Sequence, residues 1–211
     1  SEVLVLADGT AEPSLVAREI LAQAEHDPDA ACVVVVAPDA GSGGPSADAE
    51  ASARAQALAD AVRDAVAAQL AEAPRREVAA AALEANGAVL VAADLDEGVA
   101  FTRAWAPEHL SVMTADAAVV ASRITTAGTT FVGPFASVAF GDYLTGANHV
   151  LPTGGCARSF SGLSVQHYLR SYTVQEITAR GAAAMADDVA LLADAEGLPA
   201  HGAAARARRG T

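Results

Sequence analysis

An acid and an imidazole stand side by side in Ala106-Pro107-Glu108-His109-Leu110, where a helical pattern gives way to an apolar strand. Two groups that titrate on either side of neutrality can share proton transfers, and loops at element ends are where α/β sheets usually carry chemistry. A surface Glu–His pair in a turn accounts for the same residues equally well. Gln23 and His26 are three apart on a helical stretch, so at about 100° per residue they point within about 60° of one another. A Gln carbonyl beside an imidazole suits a borderline ion such as Zn²⁺; a solvated helix end explains the spacing as simply. Gly141-Asp142-Tyr143 and Ala147-Asn148-His149-Val150-Leu151-Pro152-Thr153 place polar side chains among glycines that let backbone approach a ligand. The plainer alternative is that Asp142 and Asn148 cap turns. Glu196 and His201 bracket Gly197-Leu198-Pro199-Ala200, with Gly197 placed to end a helix. No phosphate-binding glycine loop follows any apolar run, since Asp8-Gly9-Thr10 and Gly41-Ser42-Gly43-Gly44 lack the dinucleotide spacing. Ser161-Gly162-Leu163-Ser164 is not a nucleophile elbow. The residues alone reach as far as a metalloenzyme with His, Gln and Asp ligands.

The elements that must position these groups alternate. Val3 to Ala7 is a short apolar run closed by Asp8-Gly9. Pro13 opens a helix carrying Leu15, Ile20, Leu21 and Ala24 to about His26, and Cys32 to Ala37 is a second buried strand. Residues 38–48 read as a loop, followed by an Ala-rich helix from about Ala51 to Ala73 and another from about Arg75 to Ala85. Val89-Leu90-Val91, Ser111-Val112-Met113 and Thr130 to Gly133 are three more strands, with helices over about Asp94–Ala104 and Asp116–Thr125 between them. This rhythm implies an α/β fold with a mostly parallel sheet and flanking helices, an incomplete Rossmann-like unit. Residues 1–145 are assigned to it. Residues 146–211 form a Gly- and Pro-punctuated loop, an extended segment at Tyr172-Thr173-Val174, and a helical arm over about 178–196 and 199–208.

Bulk properties narrow the function. The 211 residues are 52% hydrophobic, enough for a sizeable core, and only 4% aromatic, so that core is built from Ala, Val and Leu. No run approaches the roughly 18 apolar residues that span a bilayer. Nothing before the first apolar run resembles a signal peptide, so a cytoplasmic setting is expected. Acidic residues outnumber basic ones 26 to 13, giving a net charge of −13. Such a surface repels phosphate backbones and anionic lipid, so neither nucleic acid nor membrane is an expected partner. Every basic residue is Arg, a pattern that GC-rich coding or a salty cytoplasm would each produce. Cys32 sits in a buried strand and Cys156 in a loop, which makes neither a disulfide framework nor a thiolate metal site.

Taken together, Ser1-Glu2-Val3-Leu4-Val5-Leu6-Ala7-Asp8, Leu21-Ala22-Gln23-Ala24-Glu25-His26, Ala106-Pro107-Glu108-His109-Leu110, Gly141-Asp142-Tyr143, Asn148-His149-Val150-Leu151-Pro152-Thr153, Ser161-Gly162-Leu163-Ser164-Val165 and Ala195-Glu196-Gly197-Leu198-Pro199-Ala200-His201 resemble, in this order, the histidinol dehydrogenases. That resemblance implies oxidation of L-histidinol to L-histidine by two NAD-linked steps, in histidine biosynthesis. It implies that Gln23, His26, Asp142 and His201 hold one Zn²⁺ and contact substrate. His109 is implied as the base for the alcohol proton, and Glu108 as the base that activates water at the aldehyde stage. Ser1, His109, His149 and Glu196 match further substrate-contacting positions. The family's site is shared across a homodimer, so Glu196 and His201 are expected to serve the neighbouring subunit.

Two departures from the family's pattern bear on this. Its chains are longer, with an N-terminal half that supplies the NAD contacts, so this chain reads as a fragment not expected to transfer hydride alone. A Gly/Ser/Ala-rich insertion at about 41–53 is expected to have little functional consequence. Two rival readings are a non-catalytic dimerising remnant and a zinc-dependent hydrolase with Glu108 acting on a zinc-bound water.

Overall fold

The computed structural model describes residues 1–39 and 45–210. Within it, Ser1–His167 and Tyr168–Thr211 form two compact units.

The first unit is built on five parallel strands, β1 (Glu2–Ala7), β2 (Ala31–Val36), β3 (Gly87–Val91), β4 (His109–Met113) and β5 (Thr129–Val132), in the order β3-β2-β1-β4-β5. Strands covered on both faces need apolar residues at every position, and so β1 and β2 read as unbroken runs. Alternation then sorts them. Val3, Val5 and Ala7 face a layer holding α1 (Pro13–Ala24), α2 (Pro45–Ala71) and α3 (Arg76–Asn86). Leu4 and Leu6 face α4 (Leu95–Trp105) and α5 (Ala117–Ser122) through Val99, Ala117 and Val120. The α2 helix buries Ala51, Ala55, Leu58, Ala59 and Val62, a stripe with helical period.

Two expectations are revised. The long helix begins at Pro45, not Ala51, so most of the supposed 41–53 insertion is helix; residues 41–44 of it lie outside the described residues. Asp142 is not in a loop but near the end of a six-residue helix, α6 (Val138–Tyr143).

The topological switch point lies between β1 and β4. At their carboxyl ends, where open α/β sheets usually bind ligands, Asp8 draws the loops together. Its Oδ1 accepts from Thr10 N–H (3.0 Å) and Oγ1 (2.6 Å), and its Oδ2 accepts from Ala115 N–H (2.8 Å).

The second unit is a helical hairpin of α7 (Ala179–Ala195) and α8 (Pro199–Arg206). Thr178 caps α7 by accepting from Gly181 N–H at 3.1 Å, and Gly197 ends it with φ of 74°. Ala186, Ala190 and Ala193 make the buried face, and Arg206 pairs with Asp194 across the hairpin.

Candidate active site

The polar groups of the first unit collect at the opposite edge of the sheet, where β1 and β4 begin. Parallel pairing sets Val3 against His109, which places Glu2 beside Glu108. The Glu2 main chain then holds both members of the acid–imidazole pair. Its N–H donates to Glu108 Oε2 at 2.8 Å, and its carbonyl accepts from His109 Nδ1 at 3.0 Å. A carbonyl cannot donate, so Nδ1 carries the proton in the neutral ring and Nε2 presents its lone pair. Nε2 is buried and has no hydrogen-bond partner among the described residues; Asp142 Oδ1 stands 3.9 Å away. Ser1 Oγ donates to Glu108 Oε2 at 2.5 Å, so one carboxylate oxygen takes two donors. Glu108 and His109 are 6% and 4% exposed, dry enough for these bonds to fix side-chain direction.

Packing sets the imidazole plane. His109 stacks on Phe131 of β5 with centroids 6.2 Å apart. A Cβ at Gly141 would stand 2.7 Å from the Phe131 ring, so only glycine lets α6 lie against this stack and bring Asp142 over Nε2. At Gly128 a Cβ would meet the Glu108 carbonyl at 2.6 Å, so glycine there permits β5 to start against the Glu108 backbone.

Gln23 and His26 come from α1 and the residues just after it. Gln23 is on α1 and 1% exposed, and both its amide atoms lack a partner among the described residues. A buried unpaired amide costs about 1–3 kcal/mol. His26 lies just past the end of α1, exposed. His149 sits in a loop that Asn148 closes by donating to the Leu163 carbonyl and accepting from Val150 N–H. Ser1, His26, Glu108, His109, Asp142 and His149, with Tyr143, line one cavity of about 370 Å³.

The structure thus gathers six of the nine sequence-derived site residues around one cavity, with Gln23 one helical turn before His26. Glu196 and His201 belong to the second unit, exposed at the end of α7 and within α8. Among the described residues, no three His, Cys, Asp or Glu side chains converge as a metal set. Sequence reasoning missed Glu2 and Phe131. Their roles arise from strand register and ring stacking, which no local spacing encodes.

Residues 1–209 match the family model described as "Histidinol dehydrogenase". Curated relatives under that name include those of Streptomyces avermitilis, 43% identical over all of this chain, Halobacterium salinarum, 48% identical over 99% of it, and Mycobacterium tuberculosis, 46% identical over 99%. This chain spans 44%, 45% and 43% of their respective lengths. The crystal structure of histidinol dehydrogenase from Elizabethkingia anophelis superposes with a TM-score of 0.84 and 33% identity, over 99% of this chain and 44% of that one. The chain belongs to the histidinol dehydrogenase family.

Proposed function

We infer that this chain carries the acid/base and metal-binding part of a histidinol dehydrogenase site, acting on L-histidinol. The observation that supports this best is the grip of the Glu2 main chain on Glu108 and His109. It leaves a buried, partnerless Nε2 facing a cavity, which is what a general base for an alcohol proton requires. Asp142, close to Nε2, stabilises the imidazolium that proton transfer creates. Glu108 has Oε2 occupied by Ser1 and Glu2 and keeps Oε1 for a water, as a base at the aldehyde stage needs. Ser1, His149 and Glu196 are proposed substrate contacts.

For zinc, the donors are suitable. An amide oxygen, an imidazole and a carboxylate from Gln23, His26 and Asp142 match a borderline ion, and Gln23's orphaned amide is the observation that favours one. His201 is proposed as the fourth ligand, given by a second copy in a homodimer, together with Glu196. When bound, zinc would serve as a template orienting the substrate's nitrogens. For NAD the residues do not fit. Among the described residues no strand leads into a phosphate-binding glycine loop, Gly41-Ser42-Gly43-Gly44 lacks the dinucleotide spacing, and Asp8 draws together the carboxyl-end crevice at the switch point. The dinucleotide is therefore assigned to polypeptide beyond these residues, and the chain alone is expected to form no NADH from histidinol.

Calorimetric titration of zinc into the purified chain, with and without L-histidinol, tests this. Binding that histidinol tightens, and that Asp142→Ala weakens by about tenfold or more, is the expected result. Zinc binding indifferent to both histidinol and Asp142→Ala would overturn the reading.

A further inference from the structure

Glu19 is a carboxylate that the chemistry above does not use, yet it is 6% exposed and lies on the helix that carries Gln23. Burying such a group is costly unless a specific partner holds it. Here the partner is a main-chain donor far away in sequence: Glu19 Oε2 accepts from Val138 N–H at 3.0 Å. Val138 is the first residue of α6, and Ser137, in the N-cap position, makes no side-chain capping bond. The first N–H groups of a helix have no acceptor within it and need one from elsewhere. For α6 that acceptor comes from another helix.

The position of this bond matters. Glu19 lies one helical turn before Gln23 on α1, and Val138 lies one turn before Asp142 on α6; residues four apart share a helix face. One hydrogen bond therefore ties corresponding turns of the two helices whose next turns carry Gln23 and Asp142. Packing on the same side agrees, since Val138 lies in one core cluster with Val16 and Ile20 of α1. A short helix of six residues has little stability of its own, so its direction depends on such outside contacts.

We propose that Glu19 is a positioning residue, capping α6 from α1 so that Asp142 is held in register with Gln23 and His26. This rests on the metal-binding reading given above. A Gln at position 19 keeps an oxygen to accept from Val138 N–H, whereas a Leu fills similar space and offers none. Glu19 therefore acts by geometry, and its conservative variant should restore what the apolar one loses.

The test uses the whole chain as parent, Glu19→Gln and Glu19→Leu. Co²⁺ serves as the metal probe, because its visible spectrum reports ligand number and geometry. Metal-free samples are followed by amide hydrogen exchange across residues 138–143. Glu19→Leu is expected to weaken Co²⁺ binding by about tenfold or more and to change the spectrum, in the range seen when groups that orient metal ligands are removed. It should also speed exchange of the α6 amides by about tenfold, as loss of a buried capping hydrogen bond implies. Glu19→Gln should return both close to the parent. Unchanged spectrum, affinity and α6 protection in Glu19→Leu would overturn the proposal. So would equal losses in Glu19→Gln, which would point to a need for the charge itself. If the parent binds no Co²⁺, the metal reading fails separately, and α6 exchange alone decides whether Glu19 places that helix. Should Glu19→Leu not fold, faster α6 exchange in Glu19→Gln than in the parent decides against geometry in the same way.

Discussion

The two nitrogens of His109 show how a site can be set by main chain alone. One is tied to a carbonyl and the other is left without a partner, because β1 and β4 pair in the register that places Glu2 beside the ring. The two cysteines show the converse, side chains whose surroundings remove them from chemistry or leave them open to it. Cys32 is 1% exposed in the main core, and burial pushes its thiol from 9.0 up to about 12. Cys156 is exposed. A thiol reagent at neutral pH is expected to modify Cys156 promptly and Cys32 only as fast as the chain unfolds, which peptide mapping after timed alkylation would resolve. Between pH 9.0 and about 12 the unfolded chain would ionise at Cys32 while the folded chain would not. Stability contributed by this group is thus complete below pH 9 and falls as pH rises through that window. Urea titrations of the parent and Cys32→Ala across it should converge as pH rises. A constant gap between them would count against the assignment.

Among the elements, the passage from α4 into β4 carries the least ordinary backbone. Ala106 adopts φ 55° and ψ 66°, the one non-glycine residue with positive φ among those described, and it is fully buried immediately before Pro107 and Glu108. Left-handed geometry costs an L-residue about 1–2 kcal/mol, and a β-branched one more. Ala106→Gly is accordingly expected to stay within about 1 kcal/mol of the parent, while Ala106→Val loses about 2 kcal/mol or more. Denaturation midpoints at constant slope would show this, and a Val variant as stable as the Gly one would refute it. That turn was not legible in the sequence, because Ala gives no sign of positive φ, although the residues it positions were. The five strands were found from apolar runs bounded by Asp-Gly, Asp-Pro and Gly signals, since burial on both faces leaves a strong pattern. The α6 helix was not found, because its six residues have glycine at Gly141 and owe their shape to Glu19 and Phe131. The start of α2 was misplaced because Pro45, a good first-turn residue, follows a glycine run that reads as loop. Residue type and family resemblance single out Glu108, His109, His26 and Asp142. Their convergence depends on long-range register that spacing cannot supply.

At the scale of the molecule, a net charge of −13 on 211 residues governs how the chain answers to salt. Among the described residues its arginine–carboxylate pairs are surface ones, such as Arg54 with Asp39 at 3.1 Å and Arg123 with Asp96 at 2.5 Å. Exposed pairs contribute about 0–1 kcal/mol each, so screening them loses little. Repulsion among the surplus carboxylates is spread over the whole surface and opposes the compact state. Added salt should therefore stabilise the fold. Raising KCl from about 0.05 M to about 1 M is expected to lift the midpoint of thermal unfolding by about 3–6 °C, equivalent to roughly 1–2 kcal/mol for a chain of this size. A flat or falling midpoint would mean that the ion pairs outweigh the repulsion. The curve beyond 1 M separates two origins of the acidic, Lys-free composition. At 1 M the screening length is already about 3 Å, so pure screening is exhausted there. A midpoint that levels off near 1 M fits GC-rich coding with incidental acidity. One that keeps climbing to several molar requires carboxylates that bind hydrated cations in the folded state, which is adaptation to salt.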